Sequence, residues 1–280
     1  MNLQEEINNL FFNQLNNWEQ LHHAIEQLDT VKSKQLKWND GSSVTIQYNP
    51  ARITSTSASV DNKKLSKRPC FLCEENRPIE QQCISFLSKY VILCNPFPIL
   101  QNHLTIALHS HVPQRVRNKI GDILTLTEQL DEYIVFYNGP KCGASAPDHF
   151  HIQAGLKSEV LKQGYNDLRT CMMINSDNRD EAIELFEEVY QYLSSLQPDE
   201  NEPMINIISY YEKGMYNINI FPRKQHRPTQ YYDERNEKLL ISPGALDMAG
   251  LLITVRKEDF KKIDKSDIED IYNQVSLPII

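Results

Sequence analysis

The spacing of apolar and polar residues predicts the order of helices and strands along the chain. Apolar residues recur at helical spacing between residues 3 and 27, so the chain is expected to open with one or two helices. Helical periodicity returns in residues 116–130 and 179–196, and residues 257–276 are mostly helical in pattern. Short apolar or alternating segments predict strands at residues 44–48, 90–95, 103–108, 133–137, 148–154 and 251–255.

The turns between these segments indicate antiparallel pairing. Residues 204–211 and 215–221 flank Glu212-Lys213-Gly214, which predicts a hairpin. A proline-rich turn joins segments 90–95 and 103–108, so these two are expected to be neighbours in an antiparallel sheet. The whole pattern is typical of an α+β fold with antiparallel sheets. The sequence contains no glycine-rich dinucleotide fingerprint and no P-loop, so it gives no support for those folds.

Two histidines alternate within the predicted strand 148–154. In a strand, this alternation puts His149, His151 and Gln153 on one face. The small residues 143–147 (Gly-Ala-Ser-Ala-Pro) would let backbone N–H groups approach an anion closely, and the Ser145 hydroxyl could donate to a phosphate oxygen. A half-buried strand whose histidines only bond to their neighbours is the structural alternative. The combination favours a site for an anionic ligand.

A pair of cysteines indicates a possible metal site. Cys70 and Cys73 have the spacing with which one tight turn presents two thiolates to a tetrahedral ion. The sequence has no second cysteine pair, so the remaining ligands would be histidines. The choices are His103, His109, His111 and His149. A loop-like segment follows the pair, which favours a structural metal over a thioredoxin-like redox role or unliganded thiols.

The charge balance limits the classes of partner. The chain has 280 residues, of which 40% are hydrophobic, and a formal net charge of −8. This acidity argues against a nucleic-acid or anionic-membrane surface, whereas a small anionic substrate needs only a few local cations. Any single cation could instead be a solvated surface charge. The candidate cations are Arg52, Lys67, Arg68, Lys141, Arg223 and Lys224.

The sequence also leads us to expect a cytoplasmic protein. No basic region followed by an apolar run stands at its start, and no segment approaches about eighteen uninterrupted apolar residues. We therefore expect the six cysteines to be reduced thiols.

Several segments together resemble the nucleotidyltransferase branch of the histidine triad superfamily. Tyr48-Asn49-Pro50 with Cys70-Phe71-Leu72-Cys73 is similar to the N-terminal region of the galactose-1-phosphate uridylyltransferases, and residues 143–153 are similar to their small-residue loop and His-x-His-x-Gln motif. In residues 102–111, as in the superfamily, one histidine opens a strand and another follows eight residues later. Residues 241–260 resemble the corresponding segment of the GDP-hexose phosphorylases, although Asp247 stands where these have glutamate.

The resemblance implies a fold and a domain organisation. The fold would be a histidine triad-like antiparallel sheet with flanking helices, elaborated by a C-terminal α+β half. We expect an N-terminal helical segment in residues 1–42 and a nucleotidyltransferase core with a zinc site in residues 43–160. Residues 161–280 would form the C-terminal half that completes the fold.

The resemblance also implies roles for individual residues. A structural zinc ion would be held by Cys70, Cys73, His111 and His149. His151 would attack an α-phosphorus and form a nucleotidyl-histidine, while Gln153 and Ser145 bind phosphate oxygens. The candidates for nucleotide binding are Arg52, Asn138, Lys141, Gly143 and Arg223.

The implied activity is nucleotidyl transfer by a phosphorylase. It would convert a nucleoside diphosphate sugar, with GDP-hexose favoured, and inorganic phosphate into a nucleoside diphosphate and a sugar 1-phosphate. A hexose-1-phosphate uridylyltransferase, with a sugar phosphate as acceptor, and a dinucleoside polyphosphate phosphorylase are alternatives within the same chemistry. A non-catalytic nucleotide-binding protein that keeps the fold and the zinc is the alternative of a different class. A homodimer is compatible with each.

Overall fold

The computed structural model describes residues 2–56, 68–160, 168–234 and 238–279. Its helices in this part of the chain are α1 (Leu3–Asn17), α2 (Glu19–Asp29), α3 (Ile53–Thr56), α4 (Ile120–Gln129), α5 (Arg179–Leu196), α6 (Thr229–Tyr232), α7 (Ala245–Met248), α8 (Lys257–Lys262) and α9 (Lys265–Val275). Its strands are β1 (Lys32–Lys37), β2 (Ser43–Tyr48), β3 (Cys83–Phe86), β4 (Tyr90–Cys94), β5 (Leu104–Leu108), β6 (Tyr133–Asn138), β7 (His151–Leu156), β8 (Met172–Ser176), β9 (Ile205–Glu212), β10 (Met215–Pro222) and β11 (Leu251–Thr254).

An antiparallel sheet of eight strands forms the centre of the structure. Its order is β3-β4-β5-β7-β6-β9-β10-β8. Strand β7 lies between β5 and β6, with Thr105 and Phe136 as the partners of Gln153. Strand β6 pairs on its other edge with β9, so the C-terminal half continues the sheet of the N-terminal half. The expected fold class and the pairing of β4 with β5 are confirmed.

Helices and loops cover both faces of this sheet, as alternation along β6 illustrates. Tyr133, Val135 and Tyr137 belong to the core that contains α1, α4 and α5. Ile134 and Phe136 belong to a second core, which packs against α7 and α9. Paired residues share a face of the sheet, so Gln153, the partner of Phe136, lies on the side of the second core.

A smaller sheet joins a strand of the C-terminal half to strands of the N-terminal region. Strand β2 pairs with β1 in the antiparallel sense and with β11 in the parallel sense. The parallel pair joins Thr45 to Leu251 and Tyr48 to Thr254. It holds the segment that contains α7 beside the eight-stranded sheet, and both contribute to the site described below.

Most sequence predictions hold, and the differences have local causes. The hairpin turn is confirmed, with positive φ angles of 53° at Lys213 and 81° at Gly214. Strand β1, with the polar sequence Lys-Ser-Lys-Gln-Leu-Lys, has no apolar alternation and lies within the segment expected to be helical. The predicted helix 257–276 is divided because Asp264 forms a capping box that starts α9.

The predicted histidine strand begins later than expected. Strand β7 starts at His151, and His149 lies in a turn in which its N–H donates to the carbonyl oxygen of Ala146 at 3.1 Å. Within the described residues, none of the helices is both long and apolar enough to pass through a membrane.

A buried carboxyl fixes the loop after α5 to the rest of the structure. Glu202 is 4% exposed and accepts hydrogen bonds from the N–H of Val116 and the hydroxyl of Tyr137. Burial raises the pKa of Glu202 to about 7, although both hydrogen bonds oppose that shift. The folded state therefore binds a proton on Glu202 more tightly than the unfolded state does.

Glu202 should make stability depend on pH. Its stabilising contribution is complete below its ordinary pKa of 4.5 and is lost as the pH rises through about 7, a difference of about 3 kcal/mol at most. We expect Glu202→Gln to flatten the pH dependence of the free energy of unfolding, measured with urea from pH 5 to pH 8. Glu200→Gln, which removes a carboxylate paired with Lys141, is the control and should keep the wild-type slope. Equal slopes in both variants would contradict this assignment.

Candidate functional site

A cavity of about 580 Å³ lies against the eight-stranded sheet. Strands and strand ends supply one part of its wall: Leu93, Thr105, Phe136, Asn138, His151 and Gln153. Residues before α7 and α7 itself supply another part: His226, Arg227, Ser242, Gly244, Ala245 and Asp247. The cavity therefore joins parts of the chain that are far apart in sequence.

His151 lines this cavity and has one ring nitrogen without a hydrogen bond to the described residues. Its side chain is 2% exposed, and Nδ1 lies 2.9 Å from the carbonyl oxygen of His149. A carbonyl oxygen only accepts, so Nδ1 carries the proton and Nε2 keeps its lone pair. Nε2 has no hydrogen-bond partner among the described residues. Burial lowers the pKa of His151 to about 4, so the imidazole is neutral at pH 7.

Gln114 fixes the backbone of His151. Its Oε1 accepts from the His151 N–H at 2.7 Å, and its Nε2 donates to the carbonyl oxygens of His151 at 2.8 Å and Asn138 at 3.0 Å. The β6–β7 register would place Asn138 opposite His151, but the ladder ends at Phe136 and Gln153. The Gln114 amide therefore takes the place of the next step of the ladder, between two residues that line the cavity.

The orientation of Gln153 follows from His103. The Ile99 N–H donates to Nδ1 of His103 at 3.0 Å, so the proton of this imidazole is on Nε2. Nε2 then donates to Oε1 of Gln153 at 2.9 Å. The oxygen of the Gln153 amide is thus engaged by His103, which leaves its NH₂ group as the donor for a ligand. Burial lowers the pKa of His103 to about 3, so it stays neutral.

The small-residue loop, residues 143–147, lies against the segment before α7. Gly143 has a φ of +99°, and a Cβ there would lie 3.2 Å from Cα of Gly244. Asn138, at the end of β6, also contacts this region, because its Oδ1 accepts from the N–H of Ala245 at 2.7 Å. Gly143, Ser145 and Asn138 all line the cavity. The glycine is required both for its φ angle and for this close approach.

Three arginines of the described residues line the cavity, whereas three candidate cations, Lys141, Arg223 and Lys224, do not. Arg52, Arg68 and Arg227 are among its lining residues. The prediction for Lys141 is corrected, because this exposed side chain pairs with Glu200 at 2.8 Å. The prediction that Arg223 binds the nucleotide is corrected too.

Arg223 is fully buried and serves as a structural hub. It donates to the side chain of Asn206 and to the carbonyl oxygens of Pro243 and His226, both at 2.9 Å. It therefore holds the segments that carry the cavity wall instead of facing the cavity. Lys67 lies outside the described residues.

Cys70, Cys73, His111 and His149 form a thiol–imidazole cluster that could hold a metal ion. Their four ligand atoms lie within 4.8 Å of one another. Sγ of Cys70 is 3.3 Å from Nδ1 of His149, and Sγ of Cys73 is 3.2 Å from Nδ1 of His111. These separations are close to the edge of roughly 3.6 Å expected for a tetrahedral zinc site with sulfur and nitrogen ligands.

The hydrogen bonds of the two histidines orient them as ligands. Nε2 of His149 lies 2.7 Å from the carbonyl oxygen of Leu108, so it carries the proton and Nδ1 is free to bind a metal. Nε2 of His111 lies 3.5 Å from a carboxylate oxygen of Asp148. Of the other two histidines considered from sequence, His103 binds Gln153 instead, and His109 is exposed and outside the cluster.

Several residues of the site lack a sequence signal of their own. Gln114 follows the candidate ligand His111 by three residues but belongs to no recognisable motif. His226 and Arg227 follow a strand end that gave no reason to place them in a pocket. The sequence singles out Asp247 but does not show the contacts of its carboxylate. Both oxygens accept hydrogen bonds from backbone N–H groups, those of Gly244 and Ile253, at 2.9 Å.

Comparisons with known proteins agree with this architecture. A family model described as "Domain of unknown function (DUF4922)" matches residues 10–156. No curated protein matches the sequence. The crystal structure of yeast Ap4A phosphorylase Apa2 is similar with a TM-score of 0.63 at 15% identity, and the match covers 93% of this chain and 98% of that chain. Its complex with Ap4A gives a TM-score of 0.62 at 16% identity over 94% and 98%. This similarity establishes a shared fold, an α+β architecture with antiparallel sheets.

Replacing Gln114 tests its role as a substitute for a ladder step. Gln114→Met keeps the approximate volume but leaves the buried N–H of His151 and two carbonyl oxygens without partners, so we expect a loss of about 2 to 4 kcal/mol in the free energy of unfolding. Urea denaturation measures this loss. Gln129→Met, at an exposed position, is the control and should change stability little. Similar small losses in both variants would contradict the role given to Gln114.

Removal of a cluster ligand tests the metal site. We expect Cys73→Ser to lose the bound metal and to lower the Tm by roughly 5 °C or more, because the cluster joins three separate loops. Elemental analysis of the purified protein and thermal denaturation measure the two effects. His109→Ala is the matched control, since this histidine is next to the cluster in sequence and absent from it. Wild-type protein without metal after purification in zinc-containing buffer would contradict the site.

Proposed function

The chain belongs to the family described as a domain of unknown function, DUF4922, and from the geometry of its site we propose that it is a nucleotidyltransferase of the phosphorylase type. The observation that carries the proposal is the neutral His151, which lines a cavity large enough for a nucleotide and whose Nε2 has no partner among the described residues. An imidazole held in one tautomer by a carbonyl oxygen is prepared for nucleophilic attack at the other nitrogen.

The reaction proceeds in two displacements at one phosphorus. Nε2 of His151 attacks the α-phosphorus of a nucleoside diphosphate derivative, a P–N bond forms, and the bond to the bridging oxygen breaks. The departing group leaves with the electron pair of that bond as a phosphate. In the second step an oxygen of inorganic phosphate attacks the same phosphorus, the P–N bond breaks, and neutral His151 is regenerated with a nucleoside diphosphate as product.

Gln153 suits transfer better than reactions that need a proton donor. With its oxygen bound to His103, its NH₂ group can donate to a non-bridging oxygen of the phosphoryl group. An amide stabilises charge there without giving up a proton. A sugar phosphate or nucleotide is a sufficiently good leaving group to depart without one. Ser145, Gly143 and Asn138 are proposed to hold further phosphate oxygens, and Arg52 is proposed to add positive charge.

We propose zinc as the occupant of the thiol–imidazole cluster, with a structural role. Two thiolates and two imidazoles are a ligand set that zinc binds tetrahedrally, and four protein ligands leave no position for a catalytic water. The metal would hold His149 in place, and the carbonyl oxygen of His149 in turn holds His151. The cysteines must be reduced for this role, which suits the predicted cytoplasmic location. That location and a homodimer stay predictions.

For the substrate, we favour a GDP-hexose, as the resemblance of residues 241–260 suggests. That segment contributes Ser242, Gly244 and Asp247 to the cavity wall, opposite the strands. Its polar groups are suited to a sugar. The products would be GDP and a hexose 1-phosphate.

A dinucleoside polyphosphate is the second candidate, and the cations of the cavity favour it. Among the described residues that line the cavity there are three arginines and one carboxylate, Asp247, which suits a ligand with several negative charges. Crystal structures of the similar yeast Apa2 contain AMP and Ap4A.

Incubation with a substrate panel tests the proposal. GDP-, UDP- and ADP-sugars and dinucleoside polyphosphates are each supplied with and without inorganic phosphate, and released nucleoside diphosphate is measured together with the intact mass of the protein. We expect phosphate-dependent release from one class, and a nucleotidyl adduct on the protein when phosphate is omitted. His151→Ala should abolish both, whereas His109→Ala should leave both unchanged.

The same panel separates the enzyme from a nucleotide-binding protein. A binding protein would form no adduct, and His151→Ala would keep its nucleotide affinity. Turnover that survives in His151→Ala would overturn the proposed nucleophile.

A further inference from the structure

Arg68 is the cavity arginine that contacts the small-residue loop. Its NH2 nitrogen donates to the carbonyl oxygen of Ser145 at 3.0 Å and lies 3.4 Å from a carboxylate oxygen of Asp148. Its guanidinium carbon lies 5.2 Å from the ring centre of Phe71. Phe71, like Arg68, lines the cavity, and Asp148 lies next to His111 of the thiol–imidazole cluster. Three contacts of different kinds thus fix one guanidinium at the edge of the nucleophile's cavity.

One donor of this guanidinium is left without a partner. Nε of Arg68 is buried and has no hydrogen-bond partner among the described residues, although the side chain as a whole is 30% exposed. A buried donor that bonds to nothing is unfavourable, and a phosphate oxygen in the cavity would satisfy it. The planar fork of arginine suits this task, because one edge can bind protein acceptors while another meets a phosphate.

The other two cavity arginines are engaged elsewhere. Arg52 donates to the carbonyl oxygen of Phe97 at 2.7 Å. Arg227 donates to Ser242 and to the carbonyl oxygen of Thr56, at 3.0 and 3.1 Å. Arg68, by contrast, keeps a buried donor, Nε, that has no partner among the described residues. Arg68 is therefore the cavity arginine with a donor left for a ligand.

Asp148 connects Arg68 to the thiol–imidazole cluster. One carboxylate oxygen faces Arg68 at 3.4 Å and the other faces Nε2 of His111 at 3.5 Å. A metal bound to Nδ1 of His111 would fix the position of that ring. Because the Asp148 carboxylate contacts both groups, it would then help to hold the Arg68 guanidinium in place.

We propose that Arg68 binds the nucleotidyl phosphate that His151 attacks and supplies a fixed positive charge to it. The inference rests on the proposed function and assigns to Arg68 the role that the sequence suggested for Lys141 or Arg223. Gln153 and the backbone of the small-residue loop are neutral donors. The nucleotidyl group in transit carries negative charge on the two non-bridging oxygens of its phosphorus, and a fixed cation stabilises that charge more than neutral donors do.

Variants of Arg68 test the assignment through two separate readouts. The first is the single-turnover rate of adduct formation on the protein, followed by intact mass with the active substrate of the panel. The second is the affinity for AMP, GMP, UMP and CMP, measured by calorimetry. The variants are Arg68→Gln, Arg68→Lys and Arg68→Ala, with Lys141→Gln as a matched loss of one cation outside the cavity. Circular dichroism and metal content show whether each variant is folded.

We expect Arg68→Gln to slow adduct formation by about 100-fold, with a smaller loss for Arg68→Lys. Guanidinium chloride at low millimolar concentration should restore part of the rate of Arg68→Ala, which a defect in folding would not allow. Lys141→Gln should stay within twofold of wild type. An Arg68→Gln variant within twofold of wild type in both rate and nucleotide affinity would overturn the assignment.

The affinity readout keeps this inference separate from the proposed function. If wild type forms no adduct with any substrate, the nucleotidyl-histidine fails, and the affinity alone decides the role of Arg68. A loss of about fivefold or more in nucleoside monophosphate affinity in Arg68→Gln would then support the phosphate contact. Unchanged affinity, or no measurable affinity in wild type, would overturn it.

Discussion

The hydrogen bond from Nδ1 of His151 to the carbonyl oxygen of His149 is the contact on which the site depends. It selects the tautomer in which Nε2 keeps its lone pair, and it connects the two ends of one short segment. The side chain of His149 is held by the cysteines and by Leu108, so its carbonyl oxygen cannot move far. Gln114 holds the backbone of His151 from the other side. A metal in the cluster would therefore act on the nucleophile through position alone.

Other buried side chains position the residues that line the cavity in the same indirect way. His103 orients Gln153, Asn138 joins the strand end to α7, and Arg223 holds the segment before that helix. Each of these side chains is buried and donates or accepts hydrogen bonds within the protein. The groups that the described residues leave for a ligand include Nε2 of His151, the NH₂ group of Gln153 and Nε of Arg68. A site of this kind combines a rigid wall with a small number of free polar atoms.

The sequence predicted which residues come together better than it predicted where the cations lie. The structure brings Cys70, Cys73, His111 and His149 together, as the spacing of the cysteines and the resemblance indicated. His151 and Gln153 share β7, as their alternation predicted, but His149 precedes the strand because a turn closes at Ala146. Local sequence does not encode which way a loop cation points. Lys141 turns to Glu200, and Arg223 is enclosed by carbonyl groups from segments far along the chain.

Long-range pairing likewise limited what could be predicted of the fold. The polar strand β1 owes its conformation to its pairing with β2. Strand β11 lies beside β2 through a parallel pairing of segments that are more than 200 residues apart in sequence.

The tautomer of His151, read from the ring ¹⁵N shifts of the metal-loaded protein at pH 7, is the most direct test of the proposed nucleophile. We expect His151 to carry a proton on Nδ1 and none on Nε2, and we expect a ³¹P coupling to Nε2 once the adduct forms. A proton on Nε2, or a cationic ring, would contradict it.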